Sequence, residues 1–433
     1  MPEKTLIALG ALKRDFALTK EGMRRIIKDF HSEMKRGLCK KPSSLKMIPT
    51  YVDRPTGNEK GSYIALDLGG TNFRVLTVQL KGSGRITGLK AMKFVIPKKV
   101  TTGDGKALFS FLARSIKKFL STSAARGFDL GFTFSFPISQ HSVASGDLVV
   151  WTKGFTAKGV VGRDVVVLLK EALRREDLTD VRVSALANDT VGTLVARAYS
   201  DNSCDVGVII GTGTNACYRE WMANIKKMKS ADGKSGHMII NIEWGNFNKL
   251  VKTRYDRLLD RATDNPGRQI LEKMVSGMYL GEVVRLALMS LARNGAFERG
   301  AKFRSVFKKP MSLKSEYVSM LEAGDPSAFM EFTEPDRRII REVCGIVSGR
   351  AARISAAALA AVVTKTDSSL SQNHTIALDG SVYEKHLKFA GNIRRALKEV
   401  FDKKASRVKL VLSKDGSGKG AAIIAAVAAS KKA

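Results

Sequence analysis

The sequence predicts an α/β protein with two β-sheets, and three observations carry that prediction. Short apolar β runs alternate with helical patterns along 433 residues, with no linker or long low-complexity segment. Two glycine-rich turns, in LDLGGTNFRVL (66–76) and GTGTNACY (211–218), each stand between an apolar strand and a returning one. A hydrophobic content of 44% at this length supports cores for two or three domains or one large bilobal unit.

In chain order, residues 13–37 read as a helix, 61–80 and 87–96 as strands. Within the first of these, Tyr63–Leu66 and Val75–Val78 are strand runs, and Gly69-Gly70 is read as a tight hairpin turn between them. Residues 105–121 form a helix with Leu108, Phe111, Leu112, Ile116 and Phe119 on one face. LGFTFSFP is a strand ended by Pro137. The pattern then restarts: strands at Val181–Leu186 and Val206–Ile210 flank a helix at about 190–199, and Ile239–Ile242 follows as another strand. Helices are expected at 268–294, 336–364 and 391–402, and strands at 375–379 and 407–412. The tail after Gly418 is an alanine-rich helix.

Composition excludes several classes. No run is read as reaching the roughly 18 apolar residues of a membrane span, and the N-terminus lacks a signal-peptide cleavage pattern. The chain is therefore expected to be soluble and cytoplasmic. Cys39, Cys204, Cys217 and Cys344 lie far apart without a CxxC, so they read as reduced thiols, Cys217 as a buried inert one. The five histidines show no metal-ligand spacing. The net charge of +32 arises from 73 Lys and Arg against 41 Asp and Glu, spread in pairs and triplets with few aromatics between them. That distribution fits a generally basic surface better than a nucleic-acid groove, so no nucleic-acid partner is expected.

The two turns carry the chemistry. Gly69 and Gly70 let backbone N–H groups approach a phosphate, Thr71, Asn72 and Arg74 add donors, and Asp67 can hold a metal through water. The second turn repeats the logic at Thr212 and Gly213, suggesting a duplicated unit with phosphates between two lobes. Neither turn is followed by a GxxxxGK[ST] helix, so the Walker reading fails. Between and beyond the turns, Ser135, Thr152, Lys153, Asn188, Asp189, Asn215, Glu243 and Glu272 stand at element ends, where side chains can converge on a cleft. These residue types hydrogen-bond vicinal hydroxyls, which suits a sugar. Taken singly, Asn188 or Asp189 also reads as a helix N-cap, Glu243 as a surface acid and Thr152-Lys153 as loop residues.

Over nearly the whole chain, from about Met47 to Ala428, the ordered motifs LDLGGTNFRVL, GFTFSFP, WTKGF, NDTVGT, GTGTNACY, NIEWGNF, NPGRQILEKMVSGMYLGE, LDGSVYEK and DGSGKGAA resemble the eukaryotic-type hexokinases and glucokinases. They are most similar to the protist branch, some of whose members reside in glycosomes. The family belongs to the actin and Hsp70-like ATPase superfamily, so the resemblance implies a two-lobed actin-like (ribonuclease H-like) α/β fold with large and small domains flanking a deep cleft. It places the small domain at 61–187 with the C-terminal helix 420–433, and the large domain at 188–419 with 12–60.

The resemblance further implies ATP-dependent phosphorylation of the 6-hydroxyl of glucose and related hexoses, with Mg²⁺ and domain closure on sugar binding. Sugar contacts then fall on Ser135, Phe136, Thr152, Lys153, Asn188, Asp189, Asn215, Glu243 and Glu272, with Asp189 as general base. Lys153 and Arg74 place positive charge near the reacting groups, Thr71 and Thr212 hold the phosphate chain, and Asp67 orients water-bound Mg²⁺. Adenosine contacts fall on Gly380-Ser381 and Gly416-Ser417. The chain departs from the family in MSLKSEYVSM, where Ser315 and Ser319 replace a more usual nucleotide contact. The C-terminal Lys431-Lys432-Ala433 is not a peroxisomal tripeptide, so the alternative of a glycosomal location carries no import motif.

Two other classes compete: a non-catalytic scaffold or anion binder that uses the charge, and a chaperone-like or actin-like ATPase that shares the nucleotide cradle. Neither needs Asp189, Lys153, Glu243 and Glu272 together, and all four are present. The basic charge also leads to an expectation of inhibition by polyanions such as pyrophosphate.

Overall fold

The computed structural model of the chain describes residues 3–70, 72–121, 127–228, 236–325, 327 and 329–430. It opens with α1 (Glu3–Phe16) and α2 (Lys20–Leu38), so the single helix expected over 13–37 is two. Thr19 explains the break: its side chain accepts from Gly22 N and caps α2, as a threonine at that position favours. Next come β1 (Ile48–Pro49), β2 (Lys60–Leu68), β3 (Asn72–Lys81), β4 (Ile86–Val95), α3 (Lys98–Thr101), α4 (Gly105–Leu120) and β5 (Phe128–Phe134). A small hairpin, β6 (Ile138–Ser142) and β7 (Ser145–Leu148), leads to α5 (Val165–Arg175), β8 (Val181–Ala187) and α6 (Asp189–Ala198).

The second half begins with β9 (Cys204–Ile210), β10 (Thr214–Trp221) and β11 (His237–Asn241). Helices α7 (Arg254–Arg261), α8 (Ile270–Val275), α9 (Gly277–Arg293), α10 (Gly300–Val306), α11 (Ser315–Ala323) and α12 (Glu334–Thr366) follow. The chain closes with β12 (His374–Asp379), α13 (Ser381–Lys385), α14 (Phe389–Phe401), β13 (Val408–Leu412) and α15 (Gly416–Ser430). The helix expected at 268–294 is broken at Ser276, which is extended (ψ 156°) and fully buried between α8 and α9.

The two main sheets repeat one topology. The first has the order β4-β3-β2-β5-β8 and the second, after its edge strand β1, β11-β10-β9-β12-β13. In both, the first three strands of the unit are antiparallel and the last two join in parallel. Each glycine turn joins the first and second strands of its unit, so the two turns are topological equivalents.

Helices α4 and α5 cover one face of the first sheet, and α2, α9, α12 and α14 build the core of the second. A third core lies between the sheets, where α6 packs on β9 and α15 on β2 and β5. Glycines permit this contact: Gly207 of β9 faces Thr190 O, and Gly192 of α6 faces the backbone of Ser417 and Gly420. Helix α12 corrects one expectation. It contains an 18-residue stretch apolar enough by length and composition to cross a membrane, yet 83% of that stretch is buried within the fold. Its apolarity belongs to a core helix.

Candidate active site

The first glycine turn is wider than a two-residue hairpin. Strand pairing extends to Leu68 opposite Phe73, so residues 69–72 make the link. Thr71 lies outside the described residues. Neither Gly69 nor Gly70 has a left-handed φ, and a Cβ on either would meet nothing within 4 Å. The fold itself therefore makes no demand for glycine there, and the bare backbone faces open space that a ligand could use. Asn72 is exposed as the first residue of β3. Asp67, buried near the end of β2, accepts from Arg74 Nη2 at 2.7 Å and from Ser417 Oγ at 3.0 Å. The second terminal guanidinium nitrogen of Arg74, Nη1, donates to Asp415. Burial opposes the Arg74 charge, but these carboxylates outweigh it and raise its pKa.

The second turn is tighter and fully enclosed on one side. A Cβ on Gly213 would meet Glu272 Oε2 at 2.7 Å, and Gly380 (φ 110°) stands against the backbone of Ile210 and Gly211. Backbone contact and a left-handed φ require glycine at 380, whereas a side chain at 213 would have to displace the Glu272 carboxylate. The exposed Thr212 and Ser381 thus lie at neighbouring element ends. Asp379 links the start of α13 to the start of α15, accepting from Gly380 N at 2.7 Å and from the backbone of Gly416. Gly416 and Ser417 open α15, and Thr133 of β5 donates to Ser417 O at 3.1 Å. Ser315 and Ser319 are engaged within the protein: Ser315 Oγ donates to Gly277 O and accepts from Gly281 N, and Ser319 Oγ accepts from Leu387 N at 3.3 Å. Both hydroxyls tie α11 to its neighbours.

The amide and carboxylate residues converge beside the second turn. Asn215 Nδ2 donates to Glu243 Oε1 at 3.0 Å, to Asn241 Oδ1 at 2.8 Å and to Asn188 Oδ1 at 3.4 Å. Asn188 doubles as the N-cap of α6, accepting from Thr190 N. Asn241, which the sequence reading did not single out, donates to Glu243 Oε1 at 3.0 Å. Glu243 takes a left-handed backbone (φ 58°) that turns its side chain back into this group, and Glu272 Oε2 accepts from Thr214 N at 2.9 Å. Burial raises the pKa of Glu272, with Thr214 N opposing and the charge of Glu243 adding to the rise. Gln269, also left-handed (φ 53°), brings a buried Oε1 with no hydrogen-bond partner beside Gly245 and the base of Glu272.

Asp189 is the first residue of α6, partly accessible at the cleft. Burial pushes its carboxyl above the usual range, Lys153 opposes this, and the nearby charges of Asp67 and Glu243 add to the rise. Lys153 sits in a left-handed turn (φ 55°) and donates through Nζ to Ser135 O at 2.7 Å, 5.4 Å over the Phe136 ring. The Phe136 side chain is only 2% exposed, packed with Phe134, Trp151 and Phe155, so it supports Lys153 from beneath rather than lining the cleft. Ser135 is buried with its N–H on Leu68 O, and Thr152 is half-buried at the start of the Lys153 turn. Cys217 is buried on β10 and its thiol is pushed up by burial.

The hexokinase family profiles match residues 8–199 and 205–427. The chain belongs to the hexokinase family. It is 40% identical over 436 residues to hexokinase-1 of Homo sapiens, covering 95% of this chain and 47% of that protein. Against hexokinase-2 of Oryza sativa subsp. japonica the identity is 41% over 434 residues, with 93% of this chain and 87% of the relative covered. The chain thus spans about half the length of the human relative and most of the rice one. Among solved structures, a hexokinase from Schistosoma mansoni complexed with glucose matches with a TM-score of 0.86 at 36% identity, covering 98% of this chain and 99% of that one. A second hexokinase structure matches with a TM-score of 0.86 at 32% identity, covering 98% and 100%. The two-lobed α/β architecture is that of the family.

A hexokinase family site takes a nucleotide together with a divalent cation, and the residues present fit both. Open space over Gly69 and Gly70 admits a phosphate chain. Among the described residues, no group of three or more His, Cys, Asp or Glu is arranged to hold a metal ion directly. Mg²⁺ keeps its waters and is bound by one or two carboxylates plus phosphate oxygens, and Asp67 is a carboxylate near the end of β2, beside the first turn.

Proposed function

We propose that the chain transfers the γ-phosphoryl group of ATP to the 6-hydroxyl of glucose and related hexoses. The observation that carries this reading is the placement of Asp189, whose carboxyl feels Asp67 of the phosphate turn, Glu243 of the amide cluster and Lys153 at once. A carboxylate between a phosphate cradle and a hydroxyl-binding cluster can take the hydroxyl proton as the oxygen attacks. The glucose bound in the Schistosoma mansoni relative supports a hexose as the acceptor.

In this reading Asn188, Asn215, Glu243 and Glu272 hold the sugar hydroxyls, with Asn241 fixing Asn215 and Glu243. Lys153, released from the Ser135 carbonyl, places its charge near the transferring group. Arg74, Thr212 and Ser417 take the phosphate chain, and Asp67 orients Mg²⁺ through water. The cation supplies charge neutralisation on the phosphate oxygens. We assign residues 61–187 with the C-terminal helix to a small lobe and 188–419 with 12–60 to a large one. The packing of α15 on β2 and β5 supports that division. The spread of positive charge around such a cleft would also attract pyrophosphate, whose inhibition would weaken as salt rises.

A coupled assay of ADP formation across glucose, mannose, fructose and glucosamine tests the reading. Sugar-dependent turnover with at least one hexose is expected, and its absence from folded protein with MgATP present would refute it.

A further inference from the structure

Arg74 is held from two sides. Asp67, directly opposite it across the β2–β3 hairpin, takes one end of the guanidinium, and Asp415 takes the other. Asp67 adjoins the first glycine turn, whereas Asp415 belongs to neither turn. It stands between β13 and α15 in a left-handed backbone (φ 58°), a conformation that non-glycine residues adopt sparingly. Its side chain is 43% exposed against 9% for Asp67, so the Asp415 end of the guanidinium is the one nearer solvent. Asp379 is close enough to Asp415 and Arg74 for both charges to act on it. Three carboxylates around one arginine form a poor receptor for an anion unless one of them yields its place. Arginine binds carboxylate and phosphate by the same fork of donors, so the two are interchangeable partners.

We propose that Asp415 is an internal counter-anion for Arg74, occupying the end of the guanidinium that a nucleotide phosphate takes, so that Asp415 sets nucleotide affinity by competition. The proposal rests on the phosphotransferase reading only in taking the incoming anion to be a nucleotide. Asp415 is here a positioning residue: it keeps Arg74 extended toward the turn, and its displacement is part of what binding must overcome. The Asp67 contact, more buried, holds the arginine in place while the outer partner changes.

The test is equilibrium binding of ATP, measured by calorimetry without sugar, to the unaltered chain and to Asp415→Asn, Asp415→Ser and Asp415→Glu. Asparagine suits the left-handed backbone, so the first variant is built to fold, and the serine variant gives a second neutral side chain. Both neutral variants are expected to bind about three- to tenfold more tightly, the scale of losing one partly exposed ion pair. The gain should shrink as salt rises, and Asp415→Glu, which keeps the charge, should stay within about twofold of the parent. Adding Arg74→Gln should abolish the gain, because the competition then has no object. Folded neutral variants that bind ATP no more tightly overturn the proposal, as does an Asp415→Glu gain equal to that of Asp415→Asn. A purely structural Asp415 would instead weaken binding in every variant. Sugar-dependent turnover separates the two ideas: a chain that shows the binding gain without hexose phosphorylation refutes the kinase reading alone, and a working hexose kinase without the gain refutes this one.

Discussion

Gly420 of α15 lies against Gly192 of α6 with no room for a side chain between them: a Cβ on Gly420 would stand 1.9 Å from the Gly192 carbonyl oxygen. This contact fixes two ends of the site at once, because α6 begins at Asp189 and Ser417 lies in the first turn of α15. Backbone atoms cannot step aside as a flexible side chain can. Gly420→Ala is therefore expected to destabilise the fold by about 3 kcal/mol or more, at the upper end of overpacking costs. Gly69→Ala is the contrast, since its Cβ meets open space and its backbone is not left-handed. It should leave the denaturation midpoint nearly unchanged while weakening nucleotide binding. Denaturant unfolding of both variants checks this, and equal stability losses would count against it.

Asp189 is expected to govern the acid limb of the pH profile. Burial raises its carboxyl above the ordinary value of 3.8, with Asp67 and Glu243 adding and Lys153 opposing. A general base works only when deprotonated, so kcat/KM should fall as pH drops through that raised pKa. Lys153→Met removes the opposing cation and should move the limb to higher pH, besides lowering turnover. Asp189→Ala should reduce kcat by about 10² or more while leaving sugar binding measurable. A limb that stays in place in Lys153→Met would show that another group sets it.

Stability in acid should depend on a buried ion pair outside the candidate site. Arg350 of α12 donates to both oxygens of Asp256 in α7 at 2.7 Å, and both side chains are buried. Burial works to raise the Asp256 pKa, but the Arg350 bonds and Thr253 outweigh it and hold the carboxyl below its ordinary range. A depressed carboxylate pKa contributes stability above the unfolded value of about 4, and that contribution fades as pH falls toward the folded value. Asp256→Ala would strand the guanidinium and should cost about 3–5 kcal/mol at neutral pH. Its stability should then depend less on pH below about 4 than that of the parent chain. Thermal melts from neutral to acidic pH read both effects.

How much was legible in the sequence follows the local strength of each signal. The duplicated unit could be anticipated because two apolar strands each end in a glycine turn; Asp189 and Glu243 stand just past strand ends and Asn215 just inside the strand that returns from its turn, at the element ends where function concentrates. Asn241 and Gln269 were missed for opposite reasons. Asn241 closes an apolar strand and reads as part of it, although NIEWGNF contains it. Gln269 gains its place from its own left-handed backbone, which its immediate neighbours Arg268 and Ile270 do not announce. Helix α5 was hidden by its opening Val-Val-Val-Leu-Leu run, which fits a strand as well as a helix until packing on α4 decides. Phe136 sits within a sugar-site motif, yet the aromatic cluster that buries it is assembled from residues 134 to 155 and is visible only in three dimensions.

Filling the sugar cluster should be coupled to assembly of the phosphate turns. Lys153 donates to the Ser135 carbonyl, and no ion pair within 4 Å joins it to Asp189 among the described residues. If sugar binding draws the lobes together, it must bring Lys153 and Asp189 onto the reacting atoms and exclude water from them. A pentose that resembles glucose without carbon 6 should still engage Asn215, Glu243 and Glu272 and so trigger closure. It leaves room for one water beside Asp189 in place of the 6-hydroxyl. Xylose or lyxose should then raise ATP hydrolysis above the sugar-free rate, and Asp189→Ala should remove the increase. ADP release measured with a pentose already shown by calorimetry to bind is the decisive experiment. Unchanged hydrolysis under saturating pentose would mean that filling the sugar cluster does not by itself assemble the phosphoryl-transfer site.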